Sequence, residues 1–496
     1  MSGINKISSE LRLKIVGYVL LLGLVYFPVF GHLENLSIRE WDEARLAINA
    51  YEMYRDGDII VTHFNSLPDM WNTKPSLMVW FQSVGMHIFG PGELAVRLPS
   101  ALAALFLIFG FLYFSEKYIK SFWFGAFAVL VLITAGGYIQ KHATRTGDYD
   151  SLLTLFTTMH CLAFLYYIET RKNIALYLSF MMVTLAVLTK SIQGLLFLPG
   201  LFIFTLIRKD IVHLIKNRHF YFGMLIFIVF VGGYYLLRES VNPGYLEAVY
   251  NNELGGRYLE TIEEHQEPFW FYFNNIRLVF FKEWFWFLPF GLVAGYFSRK
   301  REIRQVTLFS LIMIVSYFLI ISSSKTKLYW YDVPLYPFMA LIIAALIHFI
   351  FIFIKNKLRI RKATWIKPLL MTILLVGLFY KPYKKIIDTF YNAQTTSYEQ
   401  KTFEHEYLLR DAVEGKYNLQ NHVIIHQGYN VHLLFYVYQL NDQGINIQFI
   451  QKEGIQKGMK VIAHQDEIKN YIENNFTFEI TYEGWKVKIY NINGSK

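Results

Sequence analysis

An all-α polytopic membrane protein with a small α/β tail is the fold class this sequence predicts, on three observations. The 496 residues are 54% hydrophobic and 18% aromatic but only 17% charged, against about 25% charged in ordinary globular chains. Apolar runs long or nearly long enough to cross a bilayer recur through the first three quarters of the chain. Basic residues gather in the short loops between alternate runs. The formal net charge of +10 is therefore spread as a topology signal, which argues against a phosphate-tracking nucleic-acid surface. Cys161 is the sole cysteine, which excludes an intrachain disulfide and a cysteine metal cluster.

The elements follow in order. Lys6, Arg12 and Lys14 precede an apolar run from Ile15 to Phe30, and no small-x-small cleavage site follows it. It reads as an uncleaved first membrane helix. Further spans are expected at roughly 94–114, 122–139, 150–169, 174–189, 192–207, 220–237, 276–297, 305–322, 332–354 and 367–381. A basic N-terminus inside puts Lys117 and Lys120, Arg171 and Lys172, Arg208 to Arg218, Arg299 to Arg304, and Lys355 to Lys367 on the cytoplasmic side. The first outer loop, 32–93, holds nine acidic residues and only four Lys or Arg. Lys381, Lys384 and Lys385 break the rule, since an odd number of spans puts them outside.

Within that loop, Asp42 opens a helix that Gly57 should end. Ile48, Tyr51 and Tyr54 could face lipid, giving an interfacial helix. Arg45, one turn after Asp42, is its neighbour on the helix surface and would keep the carboxylate ionised. A solvated cap with a surface ion pair would look the same. Farther on, Pro75 suits the first position of a helix, with Thr73 or Lys74 at its cap. Free N–H groups and the Lys74 ammonium would make an anion site there.

Beyond residue 382 the pattern changes to short alternating stretches. Strand-like runs cover His422–His426, His432–Tyr438, Ile445–Ile450 and Val461–His464. A helix is expected over Asp466–Asn474, then a hairpin of Phe476–Tyr482 and Trp485–Ile492 about Glu483-Gly484. The chain thus divides into a membrane domain, 1–381, and an extracytoplasmic α/β domain, 382–496, in which no catalytic motif stands out and a capping or docking role is expected. His87, His142 and His160 read as structural histidines. The long outer loop 238–275, with Arg257, Tyr258 and His265, could gate an acceptor.

Several stretches together carry a resemblance. Asp42-Glu43-Ala44-Arg45, Asn72-Thr73-Lys74-Pro75 and Glu93 to Ser100 stand in order, followed by Arg145-Thr146-Gly147-Asp148, Leu188-Thr189-Lys190 and Ser324-Lys325-Thr326-Lys327-Leu328-Tyr329-Trp330-Tyr331. Over roughly residues 10–380 the chain resembles the polytopic glycosyltransferases related to protein O-mannosyltransferases and the aminoarabinose transferase of lipid A. These use polyprenyl- or dolichyl-phosphate sugars and share the C-type glycosyltransferase fold. The resemblance implies 11–13 membrane helices with interfacial helices in the first outer loop. It implies that Asp42 activates the acceptor and that Asp148 positions the acceptor or Arg45. Arg45, Lys74 and Lys190 would hold the donor phosphate, Lys327 and Tyr331 would line the same pocket, and Arg257 and His265 would contribute from the long loop. Some members bind a divalent metal through a glutamate and a later histidine. His265 could be that histidine, but Thr73 stands where the glutamate would be, and zinc prefers Cys, His or carboxylate ligands. Ser191-Ile192 likewise replaces the family's Gly-Pro after Lys190.

The chemistry fits those residue types. Breaking a bond between an anomeric carbon and a lipid phosphate loads negative charge onto the phosphate, which fixed cations stabilise. One carboxylate opposite takes the proton of the incoming hydroxyl or amine. A single carboxylate with no second nucleophile implies one displacement with inversion. The expected partners are a polyprenyl-phosphate-linked sugar, membrane lipids, and a lipid, protein or polysaccharide acceptor, at the outer face of a bacterial inner membrane. A transporter or lipid-linked-sugar flippase is the alternative; it calls for charges inside the spans and internal repeats.

Overall fold

A computed structural model describes residues 2–140, 142–259, 266–356, 366–392 and 397–496. The protein is an α-helical membrane domain capped by a small α/β domain. The membrane part runs through α1 (Ser2–Val29), α2 (Asp42–Asp56), α3 (Leu77–Phe89), α4 (Glu93–Phe114), α5 (Phe122–Ile133), α6 (Asp150–Thr170) and α7 (Asn173–Lys190). It continues with α8 (Leu198–Ile207), α9 (Arg218–Val241), α10 (Phe271–Phe280), α11 (Lys282–Tyr296), α12 (Arg301–Ser323), α13 (Tyr336–Asn356) and α14 (Ile366–Ile386).

Among the described residues, six helical stretches are long and apolar enough to cross a membrane, and α10 and α11, bent by 96°, make a seventh span when taken together. The runs expected at 15–31, 122–139 and 192–207 are helical over shorter lengths, and the one at 367–381 lies within α14. The run expected at 122–139 is interrupted after Ile133, and the one expected at 192–207 enters through a tight turn, Ser191–Leu195. α6 lies in the middle of the bundle against α4 and α7, whereas α9 sits at its edge with its side chains turned outward. The buried hydroxyls of α6 suit that central place. Thr157 donates to the Leu153 carbonyl at 2.7 Å, so its polar atom is satisfied inside its own helix.

The loops assigned to one side by their basic residues do meet one another. Lys14 pairs with Glu116 at 2.9 Å, Lys300 donates to the Ile119 carbonyl at 3.1 Å, and Glu169 holds both Arg208 (2.9 Å) and Arg301 (3.1 Å). Arg171 pairs with Asp210 at the same end. Asp42, Lys74, Asp148 and Lys190 occupy the opposite ends of the helices. The exceptional lysines at the end of α14 belong with them: Lys385 pairs with Glu283 at 2.7 Å, and the Tyr391 ring packs 4.2 Å from that of His32, just past α1. Glu283 thus offsets one of the three lysines that broke the charge rule.

The tail contains α15 (Glu404–Val413), β1 (His422–Ile425), α16 (Val431–Asp442), β2 (Ile447–Phe449), β3 (Lys460–Ala463), α17 (Asp466–Asn475), β4 (Phe476–Glu483) and β5 (Lys488–Ser495). The sheet order is β2-β1-β3-β5-β4, with β1 parallel to both β2 and β3 and the last two strands an antiparallel hairpin. The run His432–Tyr438, read from sequence as strand-like, is helix. Parallel β1 and β2 need a crossover between them, and this apolar stretch supplies it.

The tail sits on the first loop. Tyr436 Oη accepts the Ile38 N–H at 2.9 Å and donates to Glu93 at 2.6 Å, and Tyr51 donates to Asp442 at 2.6 Å. α2 is therefore covered by α16 and not laid on lipid: Ile48 and Tyr51 are buried, with Tyr51 edge-on to Phe435. The apolar face that looked interfacial is the seat of the tail.

Candidate active site

Sequence begins the site at α2. Gly57, at φ 77°, ends the helix as expected, its N–H bonded to the Met53 carbonyl. Glu43, next to the candidate base, is buried and accepts from Arg97 (2.7 and 3.0 Å), the Arg39 N–H (2.7 Å) and the Gly147 N–H (2.9 Å). Burial raises its pKa, but Arg97 and these donors outweigh burial and hold it below the usual carboxylate range. One side chain thus ties α2 to α4 and to the Arg145–Asp148 segment. Gly147 is required there: a Cβ would lie 2.3 Å from Val96 Cγ1.

That tie brings Asp42 and Asp148 together around a residue read from sequence as structural. His142 Nδ1 lies 3.3 Å from Asp148 Oδ2 and 3.8 Å from Asp42 Oδ2. Burial pushes the imidazole down, while Asp148 and then Asp42 outweigh it and hold its pKa above the ordinary histidine value. Its ring stacks on Trp330 at 3.8 Å. Asp148 is buried with His142, but the Asp42 side chain remains 54% exposed. The cluster thus has one open carboxylate backed by a closed ion pair. The ligand atoms of the three residues lie within 4.8 Å of one another, a spacing that a divalent cation could also bridge. Only the position of His142, just before Arg145-Thr146-Gly147-Asp148, hinted at this role.

Arg45, Lys74, Lys190 and Lys327 each have a carboxylate or carbonyl already in place. Arg45 does not pair with Asp42. It forks onto Asp69 at 2.8 and 2.6 Å, and its guanidinium lies 3.7 Å over the Phe64 ring. Asp69 also accepts from Asn49 and from the Trp71 and Asn72 N–H groups. Burial opposes its charge, but Arg45 and these donors keep its pKa low. Asn72 passes the network on to the Tyr149 hydroxyl at 2.9 Å. Lys74 lies 5.5 Å over the Tyr149 ring and 3.3 Å from Glu253.

The helix after Lys74 begins at Leu77, two residues later than Pro75 suggested. The Ser76 N–H donates to Tyr234, and the Thr73 carbonyl accepts from Tyr245. One N–H of the expected anion site is thus already taken by Tyr234, and the Lys74 ammonium supplies its charge.

Lys190 is buried and held by both Asp150 oxygens at 2.7 and 2.8 Å, with its ammonium 5.3 Å over the Tyr331 ring. Lys327 donates to the carbonyls of Glu267 (2.9 Å) and Ser324 (2.5 Å), so its contacts run to the 266–267 segment. Burial lowers its pKa. His265 and the Arg257 side chain lie outside the described residues, as does the metal ligand expected at His265.

Three non-glycine residues with left-handed backbone flank the site residues: Trp41 (φ 71°), His142 (φ 67°) and Ser191 (φ 51°). Such residues persist only where the surroundings hold them, and they gather at functional sites. Trp41 is held by a stack on Tyr429 of the tail, 4.5 Å apart and 9° from parallel.

Residues 73–235 match the family model described as dolichyl-phosphate-mannose-protein mannosyltransferase. The chain is 26% identical over 325 residues to an uncharacterized protein of Aquifex aeolicus, covering 65% of this chain and 62% of that protein. It is 28% identical over 318 residues to the undecaprenyl phosphate-alpha-4-amino-4-deoxy-L-arabinose arabinosyl transferase of Aeromonas salmonicida, covering 61% of this chain and 55% of the relative. The match therefore spans less than two thirds of either relative. The fold is similar to that of ArnT from Cupriavidus metallidurans crystallised with undecaprenyl phosphate, with a TM-score of 0.71, 15% identity, and 97% and 98% of the two chains covered.

Proposed function

We propose glycosyl transfer at the Asp42 carboxylate, on the premise that the chain belongs to the C-type family of polyprenyl-phosphate-sugar glycosyltransferases. The donor is a sugar on a polyprenyl phosphate. The acceptor is a hydroxyl or amine of a lipid, protein or glycan, and the reaction runs at the outer face of a bacterial inner membrane. The prenyl tail stays among the helices while the sugar reaches the helix ends that carry Asp42. The relatives named above and the membrane fold support the donor class. One observation carries the reading: an exposed carboxylate, Asp42, beside the buried His142–Asp148 pair.

In the reaction, the acceptor oxygen or nitrogen attacks the anomeric carbon from the side opposite the phosphate. The bond from that carbon to the phosphate oxygen breaks, and its electron pair leaves with the lipid phosphate. The acceptor proton passes to Asp42. The product is the inverted anomer. His142, clamped by Asp148 and by Trp330, orients the Asp42 carboxylate. Proton removal of this kind contributes about 10²–10⁴-fold.

Lys74, 3.3 Å from Glu253 and 5.5 Å over the Tyr149 ring, is the main counter-charge for the leaving phosphate. Glu253 is then an anionic placeholder that the donor phosphate displaces. Arg45 and Lys190, committed to Asp69 and Asp150, shape the pocket and add to its positive field.

The test uses protein purified in detergent with radiolabelled undecaprenyl-phosphate sugars and membrane extracts as acceptor. Wild type is expected to consume at least one donor and to release the inverted product. Lys74→Ala is expected to remove turnover while the protein still folds. Undiminished turnover in Lys74→Ala rejects its role, and a retained anomer rejects the single displacement.

A further inference from the structure

The tail contains a second cluster that the proposed transfer does not use. His426 directly follows β1 and His464 directly follows β3, so both stand at the carboxyl ends of neighbouring parallel strands. From β1 the chain crosses to β2 on one side and then to β3 on the other, so this edge is the topological switch point of the sheet. Open α/β sheets bind ligands there. α15 adds His405 and Glu406 to the same place, and α16 adds His432.

The spacing is that of ligands around one ion. His405 Nδ1 lies 3.3 Å from Glu406 Oε2, and His432 Nε2 lies 3.8 Å from Glu406 Oε1. One ligand atom from each of the three residues falls within 4.8 Å of the other two. Ligands about 2.0–2.1 Å from a tetrahedral zinc ion stand roughly 3.3 Å apart. His464 stacks on His405 at 3.9 Å, and its Nε2 lies 3.2 Å from His426 Nδ1.

The cluster is also short of partners. Among the described residues, His405 Nδ1, Glu406 Oε2, His432 Nδ1 and His464 Nδ1 are buried without a hydrogen bond. Four such atoms in one place are unusual, since each unpaired buried group costs about 1–3 kcal/mol.

We propose that His405, Glu406 and His432 bind one divalent transition-metal ion of the zinc class, with His464 or water at the fourth position. Imidazole and carboxylate donors suit that ion. The three protein ligands come from α15 and α16, and His426 and His464 enclose the ion from the strand ends. The ion fastens α15 and α16 to the strand ends. His426 also begins the loop that carries Tyr429, and its Nε2 lies 3.1 Å from the Tyr429 carbonyl. Tyr429 stacks on Trp41, next to Asp42. The ion thus braces the wall of the tail that faces the candidate base.

The test is metal content and metal binding of the full-length chain, purified in detergent through a tag without histidines. Wild type is expected to hold about one zinc per chain, and after chelation to bind cobalt with the visible ligand-field band of a four-coordinate site that zinc then bleaches. Chelation is expected to lower the unfolding temperature, and zinc to restore it. His405→Ala/His432→Ala is expected to lose the ion, and His142→Ala to keep it. If the double variant fails to fold, Glu406→Gln, which conserves volume, is expected to lose the cobalt band on its own. A wild type that binds neither zinc nor cobalt overturns the proposal. So does an ion that survives the tail substitutions and leaves with His142→Ala.

Discussion

Two groups of histidine and carboxylate lie on either side of the Trp41–Tyr429 stack, and they differ in access. In the membrane domain, His142 and Asp148 are buried but Asp42 is 54% exposed. In the tail, Glu406 and His432 are both buried and His405 nearly so, at side-chain exposures of 3%, 4% and 13%. A reacting carboxylate must meet its substrate, so an open group backed by a rigid pair suits chemistry. A closed set of donors suits a permanent ligand. The same residue types therefore support different proposals because of how the fold covers them.

The contrast is broken most directly at its two centres. Asp42→Asn is expected to reduce turnover by about 10²–10⁴-fold and to leave the unfolding temperature in detergent unchanged, because that side chain is half in water. Glu406→Gln is expected to do the reverse, losing the ion and lowering the unfolding temperature while most of the turnover remains. Equal effects of both substitutions on both readouts would erase the distinction.

Next in size is Lys190→Ala, which leaves Asp150 as an uncompensated buried charge. A loss of about 3–5 kcal/mol of stability is expected, measurable as reduced folded yield and a lower unfolding temperature. Lys74→Ala is expected to cost less stability, since Lys74 lies 3.3 Å from Glu253 while Lys190 is held by both Asp150 oxygens at 2.7 and 2.8 Å. Similar stability losses in both would mean that the two lysines do the same work.

The link between the two centres is a smaller effect. A double-mutant cycle on Trp41→Ala and Tyr429→Ala is expected to give a coupling of about 0.5–1.5 kcal/mol in thermal stability. A cycle that closes to zero would leave the two groups mechanically independent. The smallest effect sharpens the account of strain at the membrane site. Ser191 holds φ 51° and ψ −134°, a region essentially reserved for glycine, and its hydroxyl bonds Tyr235 at 3.0 Å. Ser191→Gly and Ser191→Ala both lose that bond, but only glycine relieves the backbone. The glycine variant is expected to be more stable than the alanine variant by about 1 kcal/mol.

Much of this was legible in the residues. Apolar runs marked the helices, and the basic loops that the charge rule put on one side meet through Glu116 and Glu169. The hairpin around Glu483-Gly484 and the strands after residue 420 carried their own alternation. The order of Asp42, Lys74, Asp148 and Lys190 marked the candidate site. What escaped depends on contacts between distant stretches. Arg45 has Asp42 one turn away, yet Asp69, buried and supplied with backbone donors, takes its guanidinium. The apolar face of α2 could not announce that it would meet α16 in place of lipid. His142 looked like any histidine near a span, because only folding sets it between two carboxylates. Four of the five tail histidines, His405, His426, His432 and His464, are spread over some 60 positions and become a cluster only when β1 and β3 pair in parallel.

In the proposed transfer, Asp42 serves the chemical step and not donor capture. The most direct measurement is the single-turnover rate at saturating undecaprenyl-phosphate sugar, taken with the donor dissociation constant, for wild type and Asp42→Asn. The expected result is a rate lower by about 10²–10⁴-fold with the dissociation constant unchanged. A normal rate with weakened donor binding would contradict it and make Asp42 a binding residue.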